Sequence, residues 1–312
     1  MKTLETTDPK ILGAVLELLA ETTRHDGIPP VSEHVLLHLR HGGDKDDRHI
    51  VITDEVDGKS SIAGYAHLDL TDQVEGPSAE LVIHPNYRGK GFGRALLDHV
   101  SDLSGARLRL WAHGDLAGAQ HLAESRGLTR IRTVVQMRRT LNSPLPPLQR
   151  PESLRTFRIN EDEVEWLALN NRSFKDHPDQ GNWSERDLEV RKQEDWFDPK
   201  GFIIAAEEST SSRGKMIGFC WVKIHGGTKH RDHDHDPIGE IYVMGVDPES
   251  QGQGIGKEVT LAGLHFMQDQ GIFSAMLYVD AANEAALTLY RSLGFTEWGR
   301  DVLYRRSKLT NS

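Results

Sequence analysis

The chain has 312 residues, of which 37% are hydrophobic and 27% charged, and its formal net charge is −10. That length suits two globular domains rather than one, and the acidic balance argues against nucleic acid or an anionic membrane as the main partner. No apolar run approaches a membrane span, the first residues hold no apolar signal core, and Cys220 is the only cysteine, so a soluble, cytoplasmic protein without disulfides is expected.

Apolar residues at helical spacing (Ile11, Leu12, Val15, Leu16, Leu19) predict a helix over 8–21, and Ser32 can cap a second helix through Leu39. A polar loop over 41–48 leads to strand-like runs at 49–56, 61–70 and 78–84. Pro85 and the glycine-rich stretch from Arg88 to Arg94 then precede a helix to about 101. A strand at 107–111, a helix ending at Gly127 and a strand at 130–138 follow. The next ten residues, 142–151, hold four prolines and read as an extended, semi-rigid linker.

Beyond the linker the order recurs. A strand at 156–159, a helix over 161–173 and a helix capped by Ser184 lead to strands at 202–207, 215–225 and 239–248. A glycine loop at 251–257 opens a helix to about 270, and a strand at 275–280, a helix over 282–291 and a strand at 296–305 complete the pattern. Pro248 repeats Pro85 at an offset of 163, and Gly294 repeats Gly127 at 167. The expected fold class is α/β (an α+β mixed sheet with helices on both faces) made twice: domains at 1–141 and 153–312 joined by a linker at 142–152.

The chemistry concentrates at Met244, Gly245 and Val246, the end of a strand that stops at Asp247-Pro248, and in the loop Gln251, Gly252, Gln253, Gly254, Ile255, Gly256, Lys257. Strand, glycine loop and helix start together present bare backbone N–H groups and a helix N-terminus to an anion, which makes a phosphate cradle. The spacing is not the G-x-G-x-x-G of a dinucleotide fold, and the Lys-Ser/Thr of a P-loop is missing. Gln251-x-x-Gly254-x-Gly256 resembles the pyrophosphate loop of the GCN5-related N-acetyltransferase (GNAT) family, and the run from Asn283 to Tyr290, Gly294 and Phe295 resembles that family's next helix and its exit. The resemblance implies two tandem GNAT domains and acetyl-CoA as co-substrate.

Sliding one copy on the other places Gln251, Gly254 and Gly256 on Arg88, Gly91 and Gly93, but Glu240 on Pro77 and Tyr290 on Ala123. Acetyl transfer to an amine needs a base for the attacking nitrogen and an acid for the departing thiolate. Only the second copy offers a carboxylate and a phenol there. Glu240 as a solvated strand-end carboxylate and Tyr290 as a packing residue remain the plain alternatives. Cys220 reads as a buried structural thiol.

Several stretches go further: 26–33, 170–181, Trp221 to His225, and 240–248 resemble the mycothiol synthases, tandem acetyltransferases of this length that acetylate the cysteinyl amine of desacetyl-mycothiol. That resemblance implies Glu240 as base and Tyr290 as acid, with Glu33, Asp179, Lys223, Glu240 and Tyr278 touching the thiol-sugar. It implies that the strand end at Met244–Val246, the loop Gln251–Lys257, and Asn283, Glu284, Ala285, Ala286, Leu287 and Thr288 hold the reactive acetyl-CoA. Leu81, Val82, Ile83, Gly89, Lys90, Gly91, Phe92, Gly93 and Arg94 would hold a second CoA in a copy that does not turn over. Where that family has a glutamate this chain has Asp179, one methylene shorter. The His- and Asp-rich run 225–236 has metal-ligand residue types but no partner run, so a solvated loop is expected and no metal. A monomer acting on a small molecule, without nucleic acid or membrane, is expected. Acetylation of another amine, or silent acyl-CoA binding, are the rival functions.

Overall fold

The computed structural model describes residues 1–43, 46–56, 59–72, 75–175, 177, 181–207, 214–226 and 237–306. The first copy runs β1 (Lys2–Glu5), α1 (Pro9–Asp26), α2 (Glu33–His41), β2 (Asp47–Val56), β3 (Lys59–Asp69), β4 (Ser78–Ile83), α3 (Phe92–Ser104), β5 (Arg109–Ala112), α4 (Ala117–Ser125) and β6 (Leu128–Thr140). The second runs β7 (Leu154–Thr156), α5 (Glu163–Ser173), α6 (Glu185–Lys192), β8 (Phe202–Ala206), β9 (Met216–His225), β10 (Ile238–Val246), α7 (Ile255–Asp269), β11 (Ser274–Asp280), α8 (Glu284–Ser292) and β12 (Thr296–Arg306). No helix among the described residues is long and apolar enough to cross a membrane.

The two compact units are not the two halves of the sequence. One comprises Met1–Val135 with Gly299–Ser312, the other Gln136–Trp298. The boundary expected at the proline run is therefore displaced, and the reason is strand pairing. The later part of β12 pairs antiparallel with β5, from Val302 opposite Ala112 to Arg305 opposite Arg109, so it belongs with the first copy.

In the first unit β1, β2, β3 and β4 pair antiparallel in that order, and β4 pairs parallel with β5. Strand alternation sends Tyr65 and Val82 to one face, against Val15, Leu18, Leu19 and Val35 of α1 and α2. Ala66, Leu68 and Ala79 point the other way, against Phe92, Leu96, Leu97 and Val100 of α3. Asp8 caps α1 by accepting from the Lys10 N–H at 2.9 Å, and Gly27, at φ +73°, ends it in the left-handed region. β1 was not foreseen, because Lys2–Glu5 is a short, mostly exposed edge strand with no apolar alternation.

In the second unit β11, β10, β9, β8 and β7 are neighbours in that order. One face of β8 and β9 carries an aromatic cluster, with Trp221 stacked on Phe202 at 4.5 Å and the edge of Trp166 turned onto both rings. The opposite face takes α7 at short range: a Cβ on Gly263 would stand 2.8 Å from Cys220 Sγ. The proline run is also part of this unit. Glu258 of α7 accepts from the N–H groups of Gln149 and Arg150 at 2.6 and 2.7 Å, while His265 donates to the Pro146 carbonyl at 2.9 Å and Gln268 to that of Leu141 at 2.7 Å. Side chains at three levels of α7 satisfy a backbone that proline has robbed of donors, so the expected linker is a strap along a helix.

Candidate active site

β10 stays paired with β9 as far as Val246 opposite Gly218, whereas its parallel pairing with β11 spans only Gly239–Ile241 against Ala275–Leu277. Beyond Ile241 the two strands part, and the backbone of Met244, Gly245 and Val246 faces the gap without a β11 partner. The pairing with β9 slips by one residue between Ile241 and Val243, a β-bulge at Tyr242.

Just before the bulge stands Glu240, 9% exposed, with Oε2 2.6 Å from His225 Nε2. Ile241 reaches towards α7, within 3.3 Å of a Cβ built on Gly263, so Glu240 points to the opposite, aromatic face. Lys223 lies directly across on β9, equally buried, its ammonium 4.7 Å from the Trp196 ring centroid and 5.4 Å from that of Tyr242. The carboxylate thus lies against an imidazole, with Lys223 at the facing position of β9, largely out of water. The sequence reading gave His225 no role beside Glu240; its signal was the shared face of Lys223 and His225 on β9, which β10 meets with Glu240.

Tyr290 of α8 is 6% exposed and turns its ring edge to Phe295 at 5.9 Å. Its hydroxyl makes no hydrogen bond among the described residues. Burial pushes the phenol up, with Cys220 adding to the shift, so it stays protonated at neutral pH. Burial likewise pushes the Cys220 thiol up, as the structural reading requires. Tyr278 is exposed, and its hydroxyl accepts from Gln136 Nε2 at 2.6 Å. Glu33 is the first residue of α2 and belongs to the first unit. Asp179 and residues 227–236 lie outside the described residues.

The glycine loop takes the backbone turns that its residues predict. Gly252 and Gly254 sit at φ +77° and +83°, and α7 begins with no side-chain cap. Its first internal backbone bond is Glu258 N–H to Gly254 C=O, so the N–H groups of Ile255, Gly256 and Lys257 have no partner within the helix. Gly256 faces Met244 and Val246 of β10 and Leu289 of α8. The Ile255 and Leu287 side chains are buried in the core, so these two residues offer a ligand only their backbone, while Glu284, Ala285 and Thr288 are exposed. Asn283 is engaged as the cap of α8, its Oδ1 accepting from Ala286 N–H at 3.0 Å.

The first unit repeats this cradle. Gly89 and Gly91 take φ +71° and +87°, α3 also starts uncapped, and β4 continues beyond its pairing with β5, which ends at Glu80 opposite Trp111. Leu81–Ile83 therefore border a similar gap, with the Val82 side chain turned into the core. Two loop cations are engaged: Lys90 donates to the Asn86 carbonyl at 2.8 Å, and Arg88 grips Asp26 in a fork of 2.8 and 2.6 Å, which holds that carboxyl below its usual range.

Counting from Gly64 opposite Ile83 and Gly218 opposite Val246, Glu240 corresponds to Ser78 rather than Pro77. Sliding the sequences could not see the bulge residue, which β4 lacks. The first unit does bury a carboxylate nearby, Glu80, two positions further along β4. It accepts from Ser32 N–H and Oγ at 2.5 and 2.7 Å, and His113 Nε2 lies at 3.1 Å, with the other imidazole nitrogen 3.1 Å from Asp301. Burial alone would raise Glu80, but the His113 charge and these hydrogen bonds carry it down to about 2. Burial alone would lower His113, but Glu80 and Asp301 raise it to about 10. A carboxylate so committed is a poor base.

The model of the acetyltransferase (GNAT) family matches residues 14–128 and again 164–295. The chain belongs to that family and carries its unit twice. A tandem GNAT protein from the clavulanic acid biosynthesis pathway has the same fold, at a TM-score of 0.69 with 18% identity and 97% of each chain covered. Within the family the chain is similar to the mycothiol acetyltransferase of Acidothermus cellulolyticus, at 46% identity over 97% of this chain and 93% of that protein. It is 48% identical to that of Thermobispora bispora, over 94% of this chain and 95% of that protein.

Proposed function

We infer that the chain transfers the acetyl group of acetyl-CoA to the cysteinyl amine of desacetyl-mycothiol, giving mycothiol and CoA, and that the second unit performs the chemistry. The observation that carries the reading is the Glu240 carboxylate, buried beside His225 and across from Lys223 at the mouth of the gap between β10 and β11. The uncapped start of α7 suits a pyrophosphate, so Gln251–Lys257 would hold acetyl-CoA, which supplies an acetyl group activated as a thioester. Glu240 takes the proton of the acceptor's ammonium, directly or through a water, and His225 fixes the orientation of the carboxylate. Backbone N–H groups at Met244–Val246 meet the negative charge that grows on the acyl oxygen. Tyr290, kept protonated by burial, returns a proton to the leaving sulfur. Lys223 and Tyr278 suit the hydroxyl-rich acceptor.

The first unit is read as a CoA-holding copy without turnover. Its cradle is open, Ser78 stands where Glu240 stands in the other copy, and Glu80 is sealed by Ser32 and His113. Mass spectrometry of protein mixed with acetyl-CoA and desacetyl-mycothiol, beside a panel of other amines, tests the assignment. One acetyl gained on the cysteinyl amine, with little on the panel, is expected. Acetylation of a panel amine alone overturns the substrate, and no acetylation of anything overturns the enzyme.

A further inference from the structure

The first unit gathers four imidazoles and a carboxylate away from its glycine loop, with His67 of β3 directly across from Glu80 of β4. His38 closes the last turn of α2, Asp47 opens β2, and His67 lies in β3, so a helix end and two adjacent strands converge. We propose that His38, Asp47 and His67 form a binding site for one transition-metal dication of the Zn2+ class.

The geometry carries this in two ways. The three ligand atoms all lie within 4.8 Å of one another, with His38 Nδ1 2.5 Å from Asp47 Oδ2 and His67 Nε2 3.7 Å from Asp47 Oδ1. Tetrahedral ligands at about 2.1 Å from a shared ion stand about 3.4 Å apart. Side-chain rotations that open the His38–Asp47 pair and draw His67 inward would bring all three onto one ion. Independently, His67 is 2% exposed and its Nε2 is buried without a hydrogen bond. A buried imidazole nitrogen aimed at a neighbouring carboxylate and imidazole, beyond hydrogen-bond reach of either, is an unsatisfied polar atom that a metal ion would satisfy.

The donor set selects the ion. Two imidazole nitrogens and one carboxylate oxygen suit Zn2+, Co2+ or Ni2+, whereas Ca2+ and Mg2+ call for more oxygens than are gathered here. Three protein ligands leave a fourth position for water. The rings of His34, 3.9 Å from His38, and of His49, 5.4 Å from His67, flank the site. A bound ion would bolt the end of α2 to β2 and β3. The spacing His38, Asp47, His67 follows no metal motif, so the sequence reading expected no metal in the chain.

The test uses the full chain, stripped with a chelator and titrated with Zn2+ against a chromogenic competitor. The variants are His38→Ala, His67→Ala, and a triple variant with His230, His233 and His235 changed to Ser. One ion per chain is expected at this site, weakened at least tenfold by His38→Ala or His67→Ala and kept by the triple variant. A Co2+-loaded wild type should show the intense visible bands of a four-coordinate site, and His38→Ala should lose them. His38 is half-buried at the helix end, so its variant remains decisive if His67→Ala fails to fold. Zn2+ binding lost only in the triple variant, or binding untouched by both single variants, overturns the proposal, as does a wild type that retains no ion against the competitor.

Discussion

Glu240→Gln is the sharpest probe of the chemistry. The amide keeps the shape of the carboxylate and can still hydrogen-bond His225, 2.6 Å away, but it cannot accept a proton from an ammonium. General-base catalysis is worth roughly 10²- to 10⁴-fold, which corresponds to about 3–5 kcal/mol on the barrier. Losing the charge across from buried Lys223 costs folding stability on the order of 1–3 kcal/mol, too little to unfold an ordinary domain. Turnover should therefore fall at least a hundredfold in a folded protein, with acetyl-CoA affinity unchanged because the cradle at Gly252–Lys257 is untouched. Mass-spectrometric product counting measures the first, and calorimetric titration of CoA the second. Thiol-reactive dyes fail here because the acceptor is itself a thiol. A loss below about fivefold would refute Glu240 as the base, since proton transfer contributes far more than that wherever it has been assigned.

Tyr290→Phe should lower kcat roughly tenfold to a hundredfold with little change in KM, because its hydroxyl makes no hydrogen bond among the described residues and its loss leaves no orphan; an unchanged kcat would make Tyr290 a packing residue. Gly254→Glu should weaken acetyl-CoA binding and turnover by about tenfold or more, from left-handed strain and a misplaced anion, whereas Gly91→Glu should remove only a second CoA equivalent and spare turnover; a thousandfold loss from folded Gly91→Glu would show that the first unit takes part in the chemistry. The Glu80–His113 pair makes the first unit's stability pH-dependent. His113 folds at about 10 against an ordinary 6.5, so its contribution is full below 6.5 and drains away as pH climbs towards 10. Glu80 folds at about 2 against 4.5, so its contribution is full above 4.5 and is lost on acidification towards 2. In denaturant titrations, the stability gap between wild type and His113→Asn should shrink steadily from pH 6.5 to 9; a constant gap would show that His113 is not held protonated.

The sequence was most readable where backbone conformation forces residue choice. Gly252, Gly254, Gly89 and Gly91 occupy left-handed positions that other residues avoid, so their spacing announced both cradles. Helix ends followed from local chemistry, as at Asp8 and Gly27 around α1. Tyr242 shows the limit. A bulge changes which face a residue takes without changing composition, so the slide that matched Glu240 to Pro77 ran one residue out of step. Pairings between residues far apart in the chain were hidden for the same reason. Nothing local joins His113 to Asp301, Glu80 to Ser32, or His67 to Asp47, and only the folded sheets reveal them. The proline run was legible as extended but not as anchored, because its partners Glu258, His265 and Gln268 look like an ordinary polar helix face.

The claim of β5 on residues 302–305 sets a timetable for synthesis. The ribosome finishes β5 long before it delivers the strand that covers its edge, and the 190 residues from Ala112 to Val302, made at about 5–20 per second, take roughly 10–40 s. Throughout that interval Arg109–Ala112 offers unpaired backbone to any passing strand, and His113 waits for Asp301. The chain cannot complete its first-encoded unit first. In a nascent protein of this design the second unit folds while β5 still has an open edge, and the growing polypeptide, rather than the finished one, is where chaperones would find work.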